Sequence, residues 1–556
     1  MSQIFEIADR MVDETAAAEP IDATFVGVEG HDGEWGDQTI AGVEGLREMY
    51  ARQLAEVRAV PESSDPWDRL AIDVLEESLS AGLASIDADE RLRDLNSIAS
   101  TLQDLRQVFD HMDTASAEGW EAIAARLEGL PEAIAGYRER LDEGRRRGLA
   151  AAVRQAAEAV RQCRTAAGTE SPFDTMPGQF EGAGIGDASL AARVAAGVES
   201  AKAEFAGLAD YFEQQYLPDA PERDAVGRDR YVAFARRYLG TSIDPIRTYE
   251  WGWSEVGRLR AAMIGVAEQI VPGASLAEVL DLLATDADRA AGSPEEFRRL
   301  MAERQQIALD ELDGSQFDVP DPIKAIDVKI APPGGPLGAY YVGPSEDFAR
   351  AGSVWFALGD ATTIPMFDQV STAYHEGFPG HHLQVGTQMA VADKTTRFHR
   401  LMVWYPGSGE GWALYAEDLM EELGYLEKPD YLMGKYASEM LRACRVVIDI
   451  GSHLELPIPS DQPFHSGEPW TYQRGVDMLV DYAAQLRPVA ESEMNRYLGW
   501  PGQAISYKVG QQAIRDLRAE ETVRLGADFD LKQFHARLLD VGSIGLDTLG
   551  AWMRRG

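Results

Sequence analysis

Three of the nine histidines in this 556-residue chain stand in one short run, Tyr374-His375-Glu376-Gly377-Phe378-Pro379-Gly380-His381-His382-Leu383-Gln384. Six of the nine (His375, His381, His382, His399, His453 and His465) fall within 91 consecutive positions. Imidazoles beside a carboxylate form the donor set of a zinc-dependent hydrolase. The imidazoles hold the metal, and the neighbouring carboxylate takes a proton from the water that attacks. A polar helix end broken by Gly and Pro would explain the glycines, but it would not call for three histidines.

The spacing departs from His-Glu-x-x-His, in which two ligands four residues apart share a helical face. The fourth residue after His375 is Pro379, which cannot ligate. On a regular helix, at about 100° per residue, His382 returns to the face of His375 roughly 10 Å away, and His381 points elsewhere. Neither then reaches a zinc bound at about 2.0–2.1 Å. Gly377, Pro379 and Gly380 are residues that let a helix stop. The spacing therefore predicts an interruption that returns a second imidazole, His381 or His382, to the metal.

The run HEGFPGHHLQ, with EGWALYAE and PGQAISYKVG further on, resembles the DUF885 family of uncharacterised bacterial proteins over most of the chain, most sharply between about 340 and 515. The first two stretches also resemble the gluzincin metallopeptidases, including the thimet oligopeptidase-like, angiotensin-converting-enzyme-like and thermostable-carboxypeptidase-like groups. That resemblance implies zinc, with His375 and His381 as ligands (Gly380-His381 matching the Gly-His of those peptidases if two residues are inserted) and Glu376 as general base. From the thimet oligopeptidase-like group it implies Glu410 as third ligand and Glu417, seven residues on, as support. The stretch PGQAISYKVG is similar to one in the thermostable-carboxypeptidase-like group whose second tyrosine matches Tyr507, while Gln503 stands where the first would be. Tyr507 is thus the expected oxyanion donor, with Gln503 and His453 as helpers. His453 closes a pattern Arg…Asp-x-Gly-x-His that resembles the DUF885 family; Arg445 could hold a carboxylate, but pairing with Asp449 at i,i+4 is the first expectation.

These residues need a scaffold, and residues 1 to about 310 read as mostly helix. Ala, Leu, Glu and Arg dominate, and apolar residues recur at three- and four-residue steps. Breaks are expected at Pro61, Pro131, the stretch 171–187, Pro218 to Pro221, and 271–275. Between about 315 and 358, IDVKIA, GAYYVG and SVWFALG predict a small β-sheet just before the metal helix. The resemblance to the gluzincins implies that an edge strand of it pairs with extended substrate backbone; the alternative is a purely structural sheet. The metal helix is expected to start near Pro365. The fold expected is mainly α: a large helical metallopeptidase-like fold with a deep cleft between an N-terminal half, 1–315, and a catalytic half, 316–556.

Composition narrows the partners. The chain has 92 acidic and 52 basic residues, for a formal net charge of −40, which argues against nucleic acid or an anionic membrane as partner. Cys163 and Cys444 make no disulfide framework, and the first twenty residues carry acids and no apolar run, so a cytoplasmic location is expected. The glycine-rich stretch 177–186 lacks the Lys-Ser/Thr ending of a phosphate loop. No histidine has Glu three residues before it, which disfavours a di-iron bundle. The function expected is zinc-dependent cleavage of a peptide or other amide. The alternatives are a non-catalytic metal- or peptide-binding helical protein and a hydrolase of non-peptide amides in small-molecule metabolism.

Overall fold

The computed structural model describes residues 2–331 and 338–555. The chain is mainly helical and forms two compact units, Met1–Ala225 with Leu498–Trp500, and Val226–Tyr497 with Pro501–Gly556. The division falls well before the change of sequence texture at 315. The helices between 228 and 312 belong with the sheet and the histidine-bearing helices against which they pack.

In the first unit the helix Ala188–Tyr211 packs on Ala117–Arg146 and Val153–Ala167. Trp120, Leu127, Tyr137 and Phe205 fill the core between them. Two expectations fail here. The helix Ala117–Arg146 runs through Pro131: the buried face of Leu127, Leu130 and Ile134 offsets the roughly 3 kcal/mol of a helical proline. Within the expected loop 171–187, Met176–Gly182 is helical, because Pro177 suits a first turn and Met176 and Phe180, one turn apart, are both buried.

The second unit carries the site. Its helices α1 (Arg228–Leu239), α2 (Pro245–Ile270) and α3 (Pro294–Leu312) precede a three-stranded sheet of β1 (Asp327–Ile330), β2 (Gly338–Val342) and β3 (Ser353–Ala357). The strand order is β1–β3–β2, with β1 parallel and β2 antiparallel to β3. The central strand is covered on both faces, whereas β2 has one neighbour among the described residues. Then follow α4 (Gln369–Glu376), α5 (His381–Ala390), α6 (Pro406–Glu422), α7 (Pro429–His453), α8 (Arg487–Gly499) and α9 (Ser506–Leu525). Pro365 does not start the helix that carries His375. It pairs with Ala290 in a two-residue ladder, and α4 begins only at Gln369. Among the described residues no helix is long and apolar enough to cross a membrane.

α2 packs along α7 and α6 along α9, and buried charges tie these four helices together. Lys435 donates to Asp418 and Glu439 at 2.7 and 2.8 Å. Lys508 donates to Glu439 at 2.7 Å and lies 2.9 Å from Glu255, and Arg515 donates to Asp418 at 2.8 Å. Each charge has a partner of opposite sign, as burial demands. Asp418 follows Glu417 and Lys508 follows Tyr507, so the network fixes the backbone that presents both.

Candidate metal centre

α4 stops at Glu376 and α5 begins at His381. The four residues between fold back on the helix end: the Gly380 amide donates to the Tyr374 carbonyl at 3.0 Å. A Cβ on Gly380 would lie 1.9 Å from the His375 carbonyl oxygen, so only glycine fits. The Trp412 indole on α6 holds this turn by donating to the Pro379 carbonyl at 2.9 Å. The interruption brings the rings of His375 and His381 to 5.0 Å, edge to face.

Glu410, in the first turns of α6, completes a group of three. One ligand atom from each of His375, His381 and Glu410 lies within 4.8 Å of the other two. Glu410 Oε2 is 3.3 Å from His375 Nε2 and 3.5 Å from His381 Nε2. Two ligand atoms of one tetrahedral zinc, bound at about 2.0–2.1 Å each, stand roughly 3.3 Å apart.

The outer nitrogens are already committed. His375 Nδ1 donates to Glu417 Oε1 at 2.9 Å, and Glu417 also accepts from the Ser371 hydroxyl. His381 Nδ1 faces Gln384 Oε1 at 3.3 Å, and the Gln384 amide donates to the Ser408 carbonyl at 3.2 Å, which fixes its orientation. With both Nδ1 atoms donating, a neutral imidazole has its lone pair on Nε2, aimed at a carboxylate oxygen that is also a lone-pair donor. Glu410 Oε2 is out of solvent contact and has no hydrogen-bond partner. Three lone pairs converging on one point favour a positive charge between them, and the donor set fits zinc. Without one, a proton must serve. Burial opposes the His375 cation, but Glu410 and Glu417 push its pKa up to about 10. Burial likewise works against the Glu410 anion, and the two imidazoles hold its pKa well below the usual range.

His382 is not part of this group. Its Nε2 meets the Ile323 carbonyl at 2.8 Å, and its Nδ1 the Tyr341 hydroxyl at 3.2 Å. Both ring nitrogens are occupied, and the ring ties α5 to β2.

The triad opens on a cavity of about 540 Å³ that Glu376, Tyr507 and β2 also line. Burial raises the pKa of the Glu376 carboxyl. Burial, and after it Glu410, raises that of the Tyr507 phenol, which therefore keeps its proton to donate. Two expected helpers are not on the cavity wall. His453 is fully buried two turns beyond Arg445, with Nε2 on the Tyr497 carbonyl at 3.0 Å. Gln503 is buried too, and its amide oxygen accepts from Arg496 at 2.8 Å. The expected Arg445–Asp449 pair is replaced by longer-range partners. Arg445 binds Glu493 at 2.8 Å, while Asp449 accepts from the Tyr231 hydroxyl at 2.8 Å and the Gly502 amide at 2.9 Å. Arg442, Trp404 and Glu493 line the cavity without having been singled out from the sequence. Only the spacing of Arg442 and Arg445, which puts both on one face of α7, could have signalled it.

The family described as "Bacterial protein of unknown function (DUF885)" matches residues 20–553. Two solved structures share the fold, both described as a "putative lipoprotein". One, from Colwellia psychrerythraea, is 20% identical with a TM-score of 0.86, covering 100% of this chain and 98% of its own. The other, of unknown function and from Shewanella oneidensis, is 17% identical with a TM-score of 0.77, covering 100% of both chains. No curated protein matches the sequence.

Proposed function

Starting from a chain that belongs to DUF885, a bacterial family of unknown function, we propose a zinc-dependent hydrolase that cleaves a peptide or other amide bond. The observation that carries this reading is the convergence of His375 Nε2, His381 Nε2 and Glu410 Oε2 on one point, with Glu376 on the wall of the same cavity. A zinc ion held by these three residues would supply Lewis acidity to the attacking water and to the amide carbonyl.

The chain's own groups do the rest. Glu376 accepts the proton of the attacking water and passes it to the departing amine. Tyr507 donates its phenolic hydrogen to the carbonyl oxygen as negative charge develops there. Glu417 and Gln384 hold the two imidazoles in the tautomer that leaves Nε2 free. β2, with one neighbour among the described residues, offers unpaired backbone along the cavity to an extended substrate.

Metal analysis of the purified chain and digestion of a mixed peptide library test the reading. About one zinc per chain and cleavage products are expected. Glu376→Gln should retain the zinc and lose hydrolysis by about 10²–10⁴. A Glu376→Gln protein that turns over normally removes the proposed base, and a wild type that binds no zinc removes the proposed centre.

A further inference from the structure

The wall of the cavity formed by α7 and α8 carries positive charge that the chemistry above does not use. Arg445 is 8% exposed, and its Nη1 is buried without a hydrogen-bond partner. Its other nitrogens are engaged: Nη2 donates to Glu493 Oε2 at 2.8 Å, and Nε to the Tyr497 hydroxyl at 3.0 Å. Glu493 does not balance Arg445 alone, because Arg496 donates to the same carboxylate at 3.0 and 3.1 Å. Two guanidinium groups share one carboxylate, which leaves the buried cluster one charge positive. Asp449 accepts from Tyr231 and Gly502 and lies within ion-pair distance of neither arginine. One turn away on α7, Arg442 also lines the cavity, and its Nε is likewise buried and unpartnered. A buried guanidinium with an unused donor is costly unless an anion arrives to take it.

The position of this charge relative to the triad says which anion. The Arg445 guanidinium carbon stands 4.7 Å from the centre of the Tyr507 ring, and the Tyr507 phenol feels both Arg445 and Glu410. Triad, Glu376, Tyr507, Arg442 and Arg445 thus face one cavity of about 540 Å³, the size of a small-ligand site. Leu441, Val385 and Val489 add apolar wall beside the arginines. A planar guanidinium with a free donor matches a carboxylate.

We propose that Arg445, assisted by Arg442, binds a free carboxylate of the substrate, so that the substrate is an N-acylated α-amino acid, whether the acyl group is a peptide or a simple acid. This rests on the hydrolase reading for the bond broken, but the anion site stands on the arginines alone. Water adds its oxygen to the acyl carbon, the carbon–nitrogen bond breaks, and the proton delivered through Glu376 leaves with the amine. The products are a free amino acid and the shortened acid.

Calorimetric binding of N-acetyl-leucine and N-acetyl-leucinamide to the full zinc-loaded chain tests the site, in a Glu376→Gln background so that neither probe is consumed. The two differ only in the carboxylate. The acid should bind about ten- to a hundredfold more tightly, the range of a hydrogen bond to a charged group. Arg445→Lys, which keeps the charge beside Glu493 but removes the fork, should cut that preference to about threefold or less and leave amide binding unchanged. Arg442→Gln, which breaks no ion pair, should lower it too, so the test does not depend on how Arg445→Lys folds. Equal binding of acid and amide, or no binding of either, overturns the proposal. So does a preference that survives both substitutions, since the carboxylate would then sit elsewhere, on the metal for instance. Digestion by the wild type is read separately. If it cleaves nothing while the acid preference appears and then vanishes in Arg445→Lys, the hydrolase reading fails and the anion site holds.

Discussion

Gly411 on α6 meets Gly510 on α9 backbone to backbone: a Cβ on Gly411 would lie 2.5 Å from the Gly510 carbonyl carbon. A Cβ on Gly510 would come within 1.8 Å of the Gly407 oxygen. The crossing places Glu410, adjacent to Gly411, close enough to α9 for its charge to act on Tyr507, three residues before Gly510. Gly411→Ala or Gly510→Ala must push the helices apart, at about 1–3 kcal/mol for overpacking. Each variant should melt below wild type and bind zinc more weakly, because Glu410 moves with α6. Denaturation and metal titration on the same samples check this. Full stability with full zinc affinity would show that the helices yield without displacing the site.

The Glu417 carboxylate reaches the triad only through His375. Glu417→Gln can still turn its amide oxygen toward Nδ1, but it loses the charge that strengthens the imidazole as a donor. The substitution should weaken zinc binding by about 10- to 100-fold and leave the fold intact, since Ser371 can bond an amide as well as a carboxylate. Competition against a chelator of known affinity measures it. An unchanged zinc affinity would make Glu417 a packing residue.

His381 and His382 are neighbours with opposite duties. His381→Ala removes an Nε2 aimed at Glu410 and should abolish tight zinc binding. His382→Ala removes two hydrogen bonds, to Ile323 and Tyr341, at about 0.5–1.5 kcal/mol each. It should lower stability and spare the metal. If His382→Ala strips the zinc from an otherwise folded chain, the ligand set is wrong.

Local geometry was legible in the sequence where it constrained the chain strongly. Neither His381 nor His382 could share a metal with His375 on a regular helix, and Gly377, Pro379 and Gly380 stand between them, so a break was expected there, and the helix does stop at Glu376 and restart at His381. The helical texture and the three strands were legible from the apolar period and from Val, Tyr and Trp bounded by Pro and Gly. Interactions across long sequence separations were not. Arg445 has Asp449 one turn away, and the i,i+4 rule favours that pair. The fold instead brings Glu493, 48 residues on, and gives Asp449 to Tyr231. His453 sits eight residues after Arg445 on the same helix, about 12 Å further along it, which removes it from the cavity. His382 could be told from His381 only once Ile323 and Tyr341 were in place.

Asp449 gives a pH signature. Burial pushes its carboxyl up to about 7, against the hydrogen bonds from Tyr231 and Gly502 and the charge of Arg496. Between the unfolded value of about 3.9 and about 7, the folded chain therefore holds a proton there that the unfolded chain has released. By linkage this contribution to stability falls as pH rises through that window, and the cost is fully present above it. Both hydrogen bonds end on one oxygen, which an asparagine can supply. Asp449→Asn should therefore gain on wild type as pH rises from 4 to 7.5. Denaturant unfolding at the two pH values gives the difference. A gap between wild type and variant that does not change with pH would show that Asp449 titrates normally in the fold.

Tyr507 lines the cavity beside the triad and can donate to a developing oxyanion. It stands in the first turn of α9, fixed from behind by the buried Lys508 and faced by the Arg445 guanidinium. Burial and the Glu410 charge raise its pKa, so the hydroxyl keeps its hydrogen through the neutral range. Tyr507→Phe removes one hydroxyl and preserves the ring against which Arg445 packs. The expected result is a fall in kcat of about 10²–10³, the usual effect of losing one oxyanion donor, with zinc content and melting temperature unchanged. KM should move little, because the bond strengthens only as charge develops on the oxygen. Steady-state kinetics on whichever library peptide is cleaved fastest provides the measurement. If KM rises and kcat holds, Tyr507 binds the ground state instead. If Tyr507→Phe turns over normally, the phenol only packs.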